Sequence, residues 1–426
     1  MSDYLAALMV GNNDAYVELV DLGAMAPVNV FTFPDTFIVS IAARTGLLRL
    51  YLTDARHDLV LVVDGSSGAV QTSIPLLGPQ GCILSPDEKT LYVASGTAGF
   101  SKLIVNAIDT TSFAVKSSGV LPLNLLAYQR IAVSPDGTRL AVASMSPAPV
   151  VKLLDALSLT VTATITMAPG SSPQHAMFVT NDLLLVWDTN ADRLYQIDVP
   201  TASQLTGATV QLTSDVSWHN GECTAYSRYA NRACIIKSLA SPPVNWAVSV
   251  VDPFAKTFDT YTGFKGPPTP ICLTQAERQA LVAVDHRFDS VPGPARLSVL
   301  DFDTKAITHD VYTFATTDVF PAWMVTTGRP WDWSHKLRVT ALITQILAGI
   351  VDDSGGVVIP PGGGPPGGVA PWTGRWRELP AGTRDVLLGL GLHELAGLAS
   401  PSTQRTEIQR LALSLAAGGL TRLASR

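Results

Sequence analysis

RIAVSPDGTRLAVASMSPAPVVKLLDALSLTVTATITM, residues 130–167, holds four short apolar runs divided by turn chemistry: Ile131 to Val133, Leu140 to Ala143, Val150 to Leu154 and Val161 to Ile165. In the turn Ser134-Pro135-Asp136-Gly137 the proline presets φ, the aspartate caps its own backbone and the glycine tolerates positive φ. Four strands joined by such turns make an antiparallel meander. One such sheet cannot bury both faces alone, so the unit is expected to recur, and residues 82–121, CILSPDEKTLYVASGTAGFSKLIVNAIDTTSFAVKSSGVL, repeat its grammar.

SPDGTRLAVAS and SPDEKTLYVAS resemble the YVTN repeat, a relative of the WD40 blade in which an SPDG turn leads into a strand of the LYV type. The resemblance implies a β-propeller, usually of seven blades. Propellers of this kind include surface proteins, binding platforms and lactonases, so the likeness implies a fold and no single activity.

An acidic residue recurs where each third strand should end: Asp21, Asp64, Asp109, Asp155, Asp198, Asp252 and Asp301, separated by 43 to 54 residues. Propeller blades repeat every ~40 to 50 residues. Seven aspartates therefore predict seven blades, each aspartate capping the turn into its outer strand. The first unit has room for only three strands, Ala6 to Val10, Tyr16 to Val20 and Val28 to Phe33. Residues 322–327 are the candidate for its missing innermost strand, closing the ring so that no edge stays open. The other blades are expected at 36–77, 78–123, 124–167, 168–212, 213–265 and 266–315. In the sixth, SRYANRACIIKSLASPPVNW reads as a long insertion carrying Arg228, Tyr229, Arg232, Lys237 and Trp246 out from a blade edge. The expected fold is thus all-β: a seven-bladed propeller over 1–333, closed by a C-terminal strand, then an α-helix, a Pro/Gly linker and a helical arm.

Of the 426 residues, 47% are hydrophobic and only 15% charged, with a formal charge of −6. That balance suits stacked sheets and offers no basic stripe for nucleic acid. No window approaches the roughly eighteen apolar residues a spanning helix needs. The N-terminal run reads as a first strand rather than a signal peptide, and a soluble protein, cytoplasmic or virion-associated, is expected. The cysteines match no metal spacing. Cys82 and Cys272 sit at equivalent strand positions and are expected to be small buried hydrophobes; Cys223 and Cys234 could meet across a hairpin, although a reduced-looking chain disfavours a disulfide.

Beyond the ring, residues 334–353 place Leu342, Ile346 and Ile350 on one apolar stripe of an amphipathic helix. Residues 354–371 are a linker whose Pro and Gly can form no ladder and which a partner surface would hold. The arm, 372–426, contributes Trp372 and Trp376, then Leu387 on one short helix and Ile408, Leu411 and Leu415 on a second. With so little core it reads as a docking arm, and these nine residues are the expected assembly contacts.

Catalytic motifs are incomplete. GSSG at 65–68 is a hairpin turn, His393-Glu394 lacks a second histidine, and Asp188, Asn190 and Asp192 match a calcium loop only in part, so a turn is favoured there. No cofactor or metal is expected. Propeller geometry brings the loops that enter the innermost strands together, which nominates Gln80, Arg130, His175, Trp218 and Trp323 as binding residues of the channel face. The resemblance to lactonase propellers implies channel histidine, arginine and acids; His175 and Arg130 suit a base and an anion clamp, but no glutamate enters there. The reading is a non-enzymatic platform anchored by its C-terminal arm, through protein partners, to a larger assembly such as a phage-like virion. The alternative is a lactonase-like or carbohydrate-binding propeller enzyme.

Overall fold

The computed structural model describes residues 4–327 except 12, 45–48, 98–100, 125–129, 206, 208, 213–223, 240–244, 275, 286–292 and 317–318. The chain divides into two units, Met1–Pro330 and Trp331–Arg426, and every described residue belongs to the first. The expected helix, linker and arm, with all nine nominated assembly residues, lie outside the described residues.

The four runs of residues 130–167 are the strands Ala132–Val133, Arg139–Ser144, Val150–Asp155 and Val161–Thr166, paired antiparallel in that order. Six further sheets repeat the meander. Strand periodicity explains how they stack, because successive side chains of one strand face opposite sides. Leu140 and Val142 join a core with Tyr92 and Val105 of the preceding sheet, while Ala141 and Ala143 join one with Leu184 and Val186 of the following sheet. Middle strands therefore bury both faces, which is why their runs are continuously apolar rather than alternating. Each fully buried Val or Leu contributes roughly 1.5–3 kcal/mol. The last cluster returns to the start, packing Leu281 and Leu297 of the seventh sheet against Leu5, Ala7 and Met9 of the first. This is a closed ring of seven blades.

Closure is made by the strand Phe320–Thr327, which lies inside Tyr4–Val10 with Leu8 opposite Trp323, Ala7 opposite Met324 and Ala6 opposite Val325. The first sheet then continues through Ala15–Asp21 to Ala26–Phe33. Glu18 crosses the seam between the last blade and the first. Fully buried, its carboxylate accepts the Tyr312 hydroxyl at 2.5 Å and the Ala315 N–H at 2.9 Å.

All seven recurring aspartates hold the turn after the third strand. Asp21, Asp64, Asp109, Asp155, Asp252 and Asp301 each accept two N–H groups, from residues two and three positions on, and Asp198 accepts that of Thr201. The two SPD turns are built alike: Ser134 and Ser85 each donate from Oγ to the aspartate two residues on, at 2.6 Å. Gly137 has φ +72°, and Glu88 adopts φ +57° at the same place.

One expectation needs correcting. The supposed insertion of the sixth blade is its framework: Arg232–Leu239 and Asn245–Asp252 are the second and third strands, paired from Ala233 opposite Val251 to Leu239 opposite Asn245. Arg228 to Asn231 form only the short turn before them. The polar cluster at Arg228 to Arg232 mimics a loop, but Cys234, Ile235 and Ile236 behind it are completely buried. In the fifth blade the outer strand is broken into Ser203–Gln204 and Val210–Gln211, both paired with Arg193–Asp198. Cys82 and Cys272 are buried as expected, and Cys234 is a free thiol; Cys223 lies outside the described residues. Among the described residues no helix is long and apolar enough to cross a membrane.

Candidate functional site: the central channel

The innermost strands of all seven blades surround a channel of about 440 Å³. Their edges reach it in ring order, from Ile41 and Ala43 of the second blade to Val325 and Thr326 of the first. The wall is largely aliphatic: Ile83, Ile131, Val133, Ile271 and Leu273 line it beside Met177 and Phe178. Polar chemistry is confined to a few side chains, chiefly Arg130, Arg228, Tyr226, Thr224 and Thr326. Among the described lining residues there is no carboxylate.

Two of the five nominated residues meet. Arg130 stands two residues before the innermost strand of the fourth blade, and Trp323 lies on that of the first, three places away around a ring of seven. The Arg130 guanidinium carbon stands 4.6 Å from the centre of the Trp323 ring. A guanidinium over an indole face is held by the ring quadrupole, an attraction that strengthens where water is scarce. Trp323 is itself fixed by packing with Leu8 and Ile41.

The others are placed differently. Gln80 is buried just before the wall residue Gly81, and its N–H donates to the Ala94 carbonyl at 2.7 Å. His175, 5% exposed, lies behind the wall residue Ala176, its ring centre 5.6 Å from that of Trp187. Trp218 lies outside the described residues. Near the starts of other innermost strands, Thr269 donates through Oγ1 to the Pro321 carbonyl, and exposed Asp35 pairs with Arg56 at 2.5 Å.

Arg228 and Tyr226 are wall residues that the sequence did not nominate. Arg228 opens the turn that follows the innermost strand of the sixth blade, and both its guanidinium, at 3.3 Å, and its N–H engage Glu277 of the seventh. Burial pushes the Tyr226 phenol up, so it stays protonated at any physiological pH. The missed signal was the single apolar alternation Thr224-Ala225-Tyr226, too short to read as a strand beside so polar a turn.

Other cations fasten blade to blade. Arg49 donates to the Thr110 carbonyl and covers Phe113, and Arg139 donates to the Asn181 carbonyl at 3.0 Å. The partial calcium motif is a turn: Asp188 Oδ1 accepts the N–H groups of Asn190, Ala191 and Ser172. Among the described residues no three His, Cys, Asp or Glu side chains converge as a metal site.

These features define a seven-bladed β-propeller with an aliphatic, arginine-bearing channel. The chain is similar in structure to a protein from Lactobacillus plantarum, with a TM-score of 0.55 and 15% identity over 76% of this chain and 99% of that one. It is also similar to the Kuenenia stuttgartiensis hydrazine synthase, with a TM-score of 0.51 and 14% identity over 62% of this chain and 77% of that one. Likeness at such identities concerns the fold alone. No protein-family model and no curated protein matches the sequence.

Proposed function

We propose that the protein is a binding platform: a rigid propeller of the YVTN-repeat type, attached through residues 334–426 to a larger assembly, in the cytoplasm or on a phage-like particle. The observation that supports this most is the use made of its charged side chains. All seven strand-end aspartates hold turns, Arg49, Arg139 and Arg228 tie neighbouring blades, and Glu18 ties the seam. That is the chemistry of a stiff scaffold. The amphipathic sequence at Leu342, Ile346 and Ile350 and the arm beyond it then supply attachment. Native mass in a cell or particle extract is the test: the full chain should run in a discrete large complex, and a chain ending at residue 333 should run as a folded monomer. Unchanged incorporation of the shortened chain refutes the anchor.

The pairing of Arg130 with Trp323 on the channel favours a second reading, a lactonase-like or carbohydrate-processing propeller with its site there. Turnover of a lactone panel that disappears in Arg130→Ala would support it, and a changed pH profile in His175→Gln would mark that residue as a base. A wild-type protein inert on the panel argues against it.

A further inference from the structure

The outer strand of each blade ends its sheet, and in six blades that edge is blunted. Pro27 and Pro75 stand in the outer strands of the first two blades, Lys116 in that of the third, Asp259 and Asp310 in those of the sixth and seventh, and that of the fifth is split in two. Charges, prolines and breaks keep such edges from pairing with other chains. The outer strand of the fourth blade, Val161–Thr166 with sequence VTATIT, has none of them. We propose that this edge pairs, antiparallel and about a twofold axis, with the same edge of a second copy of the chain.

Three observations select that partner. The Met167 N–H donates inward to the Pro149 carbonyl at 2.9 Å, and backbone groups alternate along a strand, so the N–H and C=O groups of Thr164 and Thr166 point outward from the sheet. The register shift of this strand falls at its start, between Leu153 and Leu154, and Ala163 to Thr166 pair regularly, which leaves the edge beyond it uninterrupted. Second, residues 156–181 contain no Asp, Glu, Lys or Arg, so the edge offers nothing to a charged strand and suits an uncharged, β-branched one, which this chain itself supplies. The neighbouring cation, Lys152, is turned onto Thr164 Oγ1 of its own copy at 3.1 Å. Third, the edge complements itself. With Ile165 opposite its own copy, Thr164 faces Thr166, a cross-strand pair that stabilises sheets, and exposed Val161 comes beside exposed Ala168 and Pro169. Leu157, 87% exposed on the turn that leads into the strand, extends that apolar end. One strand on one strand is a small interface, so the dimer is weak and grows with concentration. It is independent of residues 334–426 and of any assembly they join.

Sedimentation equilibrium and hydrogen exchange of the full chain at about 2 μM and about 200 μM test this directly. The mean mass should rise toward that of two chains, and the amides of residues 161–167 should exchange roughly fivefold more slowly at the higher concentration, whereas association through the arm would protect residues 334–426 instead. Thr166→Lys, which sets a cation against Thr164 and Lys152 of the second copy, should abolish both effects, and Thr166→Val should keep them. A mass that does not change with concentration, protection absent from residues 161–167, or a Thr166→Lys chain that associates like its parent overturns the proposal. The concentration comparison on the unaltered chain decides the matter even where a variant fails to fold.

Discussion

Replacing Tyr312 by Phe would test how the ring is sealed. The hydroxyl of Tyr312, on the outer strand of the seventh blade, donates at 2.5 Å to Glu18, which is fully buried on the first blade. The substitution deletes one oxygen and keeps the ring, including its edge-on packing against Phe314 with centroids 5.4 Å apart. A hydrogen bond to an ionised group is worth roughly 1.5–3 kcal/mol and a neutral one about 0.5–1.5 kcal/mol. Burial raises the Glu18 carboxyl above its ordinary 4.5, while hydrogen bonds from Tyr312, Ala315 and Thr316 pull it back. A raised acid binds more protons folded than unfolded, so its contribution to stability is full below about pH 4.5 and declines as pH rises through the folded value. Losing the Tyr312 bond raises that value further, so the penalty must grow with pH. Urea unfolding should show Tyr312→Phe costing about 2 kcal/mol near pH 7.5 and about half that near pH 4. A penalty equal at both pH values, or below about 0.5 kcal/mol at neutral pH, would refute the role of the buried carboxylate.

Trp323→Ala should lower stability by roughly 3–5 kcal/mol, whereas Arg130→Ala, removing a partly buried cation from the same stack, should cost less than about 2 kcal/mol; thermal melts of both variants check the order. Gly68→Ala should destabilise by about 1–3 kcal/mol, because φ is +74° and a Cβ there would stand 2.2 Å from Phe31 Cδ1; Phe31→Leu in the same chain should recover part of the loss. Asp64 is held at about 2 by hydrogen bonds from Ser66 and Ser67, a lowered value whose stabilisation is present above about pH 4 and lost as pH falls toward 2. Acid unfolding followed by circular dichroism should therefore begin at higher pH in Ser66→Ala than in the parent chain. Burial pushes the Cys234 thiol far up, so iodoacetamide at pH 8 should modify it only after denaturant is added, and rapid native labelling would contradict its burial.

The sequence by itself determined the unit, the number of units and their closure. Local chemistry suffices for this: a proline, an aspartate and a residue at positive φ make the Ser134 and Ser85 turns whatever surrounds them, and a carboxylate two residues before free N–H groups makes each Asp64-type turn. Closure was legible because Tyr4–Val10 begins a sheet that lacks an innermost strand and residues 322–327 offer one without a sheet. The sixth blade was not legible, since Arg228 to Arg232 reads as loop until the burial of Ile235 and Ile236, which face opposite sides of the sheet, makes the following residues a central strand. The channel was legible only as a set of candidates. Arg130 and Trp323 are nearly two hundred residues apart in sequence, and nothing local relates them; they touch because seven twisted sheets close a circle and bring opposite blades to one axis. His175 is one residue from a wall position, yet it packs on Trp187 beside a register shift in its strand, and a pattern that repeats every two residues cannot say which of two neighbours faces the axis. Turns and repeats are encoded between neighbours along the chain, whereas the wall of the channel is encoded only in how the blades pack.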